Sequence, residues 1–135
     1  MGAIISRPGH AERFVRKNRT VTIRLDRPDL SIHEIEFDNT FAVAGHTHSH
    51  VDAMYVLDGQ VEFLDGDYYV RVGPGTLIAA PPGARHGFRN PGPGLARVLA
   101  LHPTEASPRS SATRSSRPRL DVHFRPVFGC EPAET

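Results

Sequence analysis

The sequence is poor in cysteine, in net charge and in long apolar runs, and each shortage narrows what the chain can be. One of its 135 residues is cysteine, Cys130, which excludes an internal disulfide framework and a multi-cysteine zinc module. The formal net charge is +1, which argues against a nucleic-acid-binding surface. The longest apolar opening is Ala3-Ile4-Ile5, too short for the h-region of a signal peptide. No run approaches the roughly 18 apolar residues of a membrane span. These shortages predict a cytoplasmic protein with no nucleic-acid or membrane partner. A convincing 3.6-residue apolar period is missing as well. The one place where a short helix is entertained, Glu12 to Lys17, has no clear cap.

What is plentiful is turn chemistry. Twelve glycines and twelve prolines favour short strands joined by tight turns. Val21 to Leu25 alternates, and Ser31 to Phe37 sets Ile35 and Phe37 on one face and Glu34 and Glu36 on the other. Further strands are expected at Met54 to Leu57, Val61 to Leu64, Tyr68 to Val72, Leu77 to Ala80 and Leu95 to Leu101. Asp58-Gly59, Asp65-Gly66-Asp67, Gly73-Pro74-Gly75, Pro81-Pro82-Gly83 and Pro91-Gly92-Pro93-Gly94 punctuate them. This spacing predicts an all-β sandwich or barrel. The length suits a single domain with a sizeable core.

Composition changes after His102-Pro103. Residues 104–119 are rich in Ser, Thr, Arg and Pro, with no aromatic or branched aliphatic residue. Such a stretch cannot bury enough surface to offset its ordering entropy. The expected organisation is therefore a domain over 1–103 and a disordered tail over 104–135. Charge is segregated too. Residues 1–27 carry seven basic groups, and residues 28–67 carry nine acidic groups with no Lys or Arg. The basic segment is expected to pair with the acidic strands, within the chain or across a dimer, in preference to forming an anion-binding arm.

Histidine is the other surplus: eight residues, three of them in Gly45-His46-Thr47-His48-Ser49-His50-Val51-Asp52. If this segment is extended, its side chains alternate, and His46, His48, His50 and Asp52 share one face. Three imidazoles and a carboxylate on one face can surround a metal ion. A solvated edge of hydrogen-bonded histidines would produce the same pattern. A second segment bears on this choice. Gly75, Pro81, Gly83, His86 and Asn90 satisfy G-x5-P-x-G-x2-H-x3-N, while His46 through Gly59 approximates H-x-H-x3-E-x6-G.

These two segments resemble the paired signature motifs of the cupin superfamily, in order and with a short connection, as in small single-domain bacterial cupins. The resemblance covers about residues 35–103. It implies a double-stranded β-helix, or jelly roll, with a site inside the barrel mouth. It carries metal ligation onto His46, His48, Asp52 and His86, turn roles onto Gly59, Gly75 and Gly83, a strand stop onto Pro81, and a turn-fixing role onto Asn90.

One departure stands out: Asp52 occupies the usual Glu position and reaches about 1–1.5 Å less far. The backbone shifts to compensate, or the site keeps three histidines and an open position, or His50 replaces the carboxylate or serves as a nearby acid/base. His10, His33, His102 and His123 are read as ordinary, with His33 the one that could reach the pocket. Met54, Val56 and Phe88 are assigned to the core first, and Tyr55 and Arg85 as polar wall candidates.

The implied cofactor is a divalent transition metal, Fe(II), Mn, Ni, Zn or Cu. The implied activity is metal-dependent chemistry on a small organic molecule, either a dioxygenase or an isomerase, cyclase or lyase. The alternative is a non-catalytic cupin that binds or senses a small ligand. A homodimer is expected from the resemblance.

Overall fold

The computed structural model describes residues 2–103. The expected tail over 104–135, with His123 and Cys130, lies outside the described residues. Ten antiparallel strands form two sheets, with no helix among the described residues. They are β1 (Glu12–Val15), β2 (Arg19–Asp26), β3 (Leu30–Phe37), β4 (Ala42–His46), β5 (Asp52–Asp58), β6 (Val61–Asp65), β7 (Tyr68–Val72), β8 (Leu77–Ala80), β9 (His86–Arg89) and β10 (Ala96–Pro103). The larger sheet runs β1-β2-β3-β10-β5-β8 and the smaller β4-β9-β6-β7. This is the double-stranded β-helix that the resemblance implies, and it fits the all-β sandwich or barrel expected from the turn spacing.

The entertained helix at Glu12 to Lys17 does not form. Glu12–Val15 is β1, paired with β2 from Glu12↔Ile23 to Val15↔Thr20, and the Arg16 amide donates to Arg19 O at 2.7 Å to close the turn. With neither a cap nor an apolar stripe to bury, cross-strand pairing wins over a helical turn. Part of the segregated charge pairs within the chain: Arg24 of the basic segment meets Glu34 across β2 and β3 at 2.9 Å, and Arg97 of β10 reaches the other Glu34 oxygen at 3.2 Å.

The core lies between the sheets. Alternation buries Ile35 and Phe37 on β3, as expected, together with Val21, Val56 and Val98 of the same sheet and Val43 and Val61 of the other. Phe37, Phe41 and Phe88 stitch the sheets with edge-on and tilted ring contacts, 5.4–6.2 Å between centroids. Edge-to-face packing suits the ring quadrupoles. Asn90 holds this end shut. Its amide donates to Phe37 O and Gly94 O, at 3.0 and 2.9 Å, and its carbonyl accepts from the Gly92 amide at 2.7 Å.

The opposite end is where chemistry collects. β4 ends at His46, β5 begins at Asp52, β9 begins at His86, and His102 stands one residue from the end of β10. The antiparallel topology brings all four ends to one mouth of the barrel.

Candidate metal centre

Residues His46 to Asp52 are not one extended strand. β4 stops at His46, residues 47–51 form a bend, and β5 starts at Asp52 on the other sheet. The simple alternation expected for this segment therefore fails, because the chain crosses between sheets here. The bend is docked by its backbone: Gly83 donates its amide to His48 O at 2.8 Å. Pro81 follows the last residue of β8, and Gly59, Gly75 and Gly83 adopt positive φ of 80°, 89° and 85°. Gly87 has a different reason to be glycine. A Cβ there would collide with the Val43 carbonyl, so only glycine lets β9 approach β4 so closely.

The bend still brings the motif side chains together. His46 Nε2 lies 3.0 Å from His48 Nε2, His48 Nε2 lies 3.2 Å from Asp52 Oδ2, and Asp52 Oδ2 lies 2.9 Å from His86 Nε2. One donor atom from each of the four residues falls within 4.8 Å of all the others. His46 and His86 face each other across the β4–β9 ladder. All four side chains are largely sheltered.

Ring orientation is set from behind. His46 Nδ1 is 2.8 Å from Ala44 O and His86 Nδ1 is 2.9 Å from Ala84 O. A backbone carbonyl only accepts, so each Nδ1 carries its proton and each neutral ring turns an Nε2 lone pair into the cluster. His86 then aims a lone pair at a carboxylate oxygen, an arrangement that needs either a second ring proton or a cation between them.

The charges agree. Burial opposes charge on the ring of His86, yet the hydrogen bond to Asp52 raises its pKa above the usual 6.5. Burial lowers His46 and brings His48 down to about 4, so both are neutral and ready to donate at neutral pH. Burial pushes Asp52 up, but the hydrogen bonds from His102 and His86 outweigh it and hold the carboxyl well below its ordinary range.

The donor set fits a divalent ion. Neighbouring donors about 2.1 Å from an octahedral or similar centre stand about 3.0 Å apart, close to the spacings seen here. Three imidazoles and one carboxylate suit Fe, Mn, Ni, Zn or Cu. His46, His48, His86 and Asp52 are the residues that could hold it.

The remaining predicted residues divide. His50 stacks on His48, with centroids 5.0 Å apart, and its Nε2 is 3.7 Å from Asp52 Oδ1. It stands beside the four-donor cluster at the more open rim. Met54 and Phe88 are buried and also line a cavity of about 30 Å3 under the cluster, with Phe63, Ile78 and Ala100. Val56 is wholly buried in the core. Arg85 borders an adjoining cleft of about 190 Å3, which shares Phe63, Ile78 and His86 with the first cavity. Tyr55 does not line the barrel. β5 alternates, so its neighbours Met54 and Val56 point inward and Tyr55 points to the outer face.

His102 is the residue that sequence reading missed. It is not ordinary: its Nδ1 lies 2.7 Å from Asp52 Oδ1, and it lines the small cavity. The signal was parity, since Ala96, Val98, Ala100 and His102 are the buried residues of β10. His33 is buried by the same rule on β3, and packs its ring 5.9 Å from that of His102. His10 is exposed.

Residues 37–102 match the family model described as Cupin domain. The chain carries a cupin domain. Solved structures share the fold. The polyketide cyclase RemF from Streptomyces resistomycificus is 28% identical, with a TM-score of 0.65 over 80% of this chain and 83% of that one. KdgF from a Halomonas species is 22% identical, with a TM-score of 0.65 over 77% and 96%. An RmlC-like cupin from Shewanella frigidimarina is 19% identical, with a TM-score of 0.65 over 77% and 94%. No curated protein matches the sequence. The matched stretch, residues 37–102, contains His46, His48, Asp52 and His86.

Proposed function

We propose that this cupin is a metal-dependent enzyme of the isomerase, cyclase or lyase kind, acting on a small organic molecule bound at the barrel mouth. The observation that carries the reading is the convergence of His46, His48, His86 and Asp52 on one point at the edge of an apolar cavity. The likeness to a polyketide cyclase at 28% identity favours carbonyl chemistry over the dioxygenase reading of the same site. A bound divalent ion would supply Lewis acidity, polarising a substrate carbonyl and stabilising the negative charge that develops on its oxygen.

The protein's own groups do the rest. Four protein donors leave room for substrate oxygen on an ion that accepts five or six ligands. The 30 Å3 cavity admits only a small reacting group, while the adjoining 190 Å3 cleft accommodates a larger body, with Phe63, Ile78 and His86 at their shared wall. The apolar lining keeps water from the reacting group. His50, beside the cluster at the open rim, would accept or return a proton in this reading.

The test is metal content of the purified protein, followed by turnover of candidate polycarbonyl compounds with and without chelator. Chelator-sensitive turnover is expected. Stoichiometric metal with no turnover under any loading would favour the non-catalytic binding reading instead.

We also propose that the protein is a cytoplasmic homodimer. Supporting it, the outer face of the larger sheet exposes Tyr55 and Leu77, and Ile4 and Ile5 of the N-terminal segment are exposed as well. Exposed apolar area of this kind marks association surfaces. A sedimentation mass of one chain at micromolar concentration would overturn the dimer.

A further inference from the structure

Asp52 stands where the motif expects a longer side chain, yet its carboxylate is not left to swing. Its oxygens are divided: Oδ2 faces His86 and His48, at 2.9 and 3.2 Å, while Oδ1 lies 2.7 Å from His102 Nδ1. The sheet sets this second contact. β10 pairs with β5 through Leu101↔Ala53, so His102 and Asp52 are the next neighbours along the ladder.

The ring of His102 is a poor choice for packing alone. It is buried, and its Nε2 has no hydrogen-bond partner among the described residues. A Leu or Phe would fill the same space without leaving a nitrogen unsatisfied. The one polar contact that justifies a histidine there is the short bond to Asp52.

We infer that His102 is a positioning residue that donates Nδ1–H to Asp52 Oδ1 and thereby turns Oδ2 toward the Nε2 atoms of His46, His48 and His86. This rests on the metal reading above and adds a residue that neither signature motif contains. The terminal torsion of an aspartate is broad, so a free carboxylate would spread over many orientations. A hydrogen bond to an ionised carboxylate is short and strong enough to select one. The hydrogen bond offsets the missing methylene: a short side chain with a fixed carboxylate replaces a longer, mobile one. Partners of this kind typically tune metal affinity by 10–100-fold.

The experiment uses Co(II) as probe, reading its dissociation constant and its visible absorption in the full chain. His102→Phe fills the space and removes the donor. His102→Asn places an amide nitrogen the same number of bonds from Cα as Nδ1, whereas His102→Gln places it one bond further.

Expected results are a 10–100-fold weaker dissociation constant for Phe and Gln, and recovery of most of the affinity for Asn. In an Asp52→Ala background, all three should have no additional effect. Metal-free melting of each variant shows whether it folds, and the Asn/Gln contrast stands if Phe does not. Wild-type affinity and absorption in both Phe and Gln would overturn the inference. So would an undiminished effect in the Asp52→Ala background, which would make His102 a ligand in its own right. Wild-type protein that takes up no Co(II) would overturn the metal reading itself.

Discussion

His46 and His86 are direct cross-strand partners in the β4–β9 ladder, with ring centroids 4.5 Å apart and both Nδ1 atoms hydrogen-bonded to carbonyls two residues upstream. The two rings are therefore held before any ligand arrives, and little ordering is left to oppose binding. Replacing either by Ala should abolish stoichiometric metal uptake, measured by elemental analysis after dialysis. The metal-free melting temperature should change much less. A His86→Ala protein that keeps full occupancy would remove it from the ligand set.

Metal removal should also lower stability. A ligand that binds only the folded chain stabilises it by mass action, by about 2.7 kcal/mol at a free concentration one hundred times its dissociation constant. Chelator should thus lower the wild-type melting temperature and leave His86→Ala unmoved.

The metal-free protein has a pH dependence of predictable sign. Burial lowers His46 and brings His48 to about 4 from 6.5. Between those values the unfolded chain binds more protons than the folded one, so stability falls as pH drops from about 6.5 toward 4. His86 acts in the opposite sense. Its raised pKa lends stability below about 6.5 that is lost as pH rises through the folded value. The depressed Asp52 gives stability that is present above about 3.9 and disappears only at much lower pH. Two lowered histidines against one raised predict a urea midpoint that declines from pH 7 to pH 4.5. His48→Asn should flatten that decline, and a midpoint rising on acidification would contradict the assignment.

Two glycines offer a backbone test. Gly59 and Gly66 both have positive φ, but a Cβ on Gly59 would strike the Leu95 carbonyl, whereas one on Gly66 meets nothing within 4 Å. Gly66→Ala should cost about 1–2 kcal/mol, the left-handed penalty alone. Gly59→Ala adds overpacking of about 1–3 kcal/mol. Denaturant titrations that rank the two equally would mean that the β5–β6 turn yields more easily than its contacts suggest.

Phe37 carries the junction between the sheets and is fully buried against Phe41 and Phe88. Phe37→Ala should destabilise by about 3–5 kcal/mol, read from a shifted denaturation midpoint at unchanged slope.

The sequence exposes some of these features and conceals others for identifiable reasons. Ile35 and Phe37 announce β3 because a strand buried on one face must alternate. Gly59, Gly75 and Gly83 announce turns because few other residues accept their φ. β9 is hard to see: His86, Gly87 and Phe88 are all buried, so its four residues show no alternation. The histidine run looks like a strand because period two is written in it, but that spacing serves a bend between sheets. His102 is hidden for a third reason. Its partner Asp52 is 50 residues away, and only the pairing of β10 with β5 joins them. Local pattern fixes elements; a site assembled from four strand ends needs the ladder.

The bend at residues 47–51 has one more consequence. It hands the chain from the smaller sheet to the larger, so His46 and His86 belong to one sheet and Asp52 and His102 to the other. An ion gripped by His46 and His86 from one sheet and by Asp52, steadied by His102, from the other would act as a rivet through the open end of the sandwich, opposite the aromatic seam of Phe37, Phe41 and Phe88. Sliding of the sheets would then change the ion's coordination, and a guest wedged into the mouth would pull on the same rivet. With such an ion bound, mechanical compliance of the barrel and the ion's coordination would become one variable.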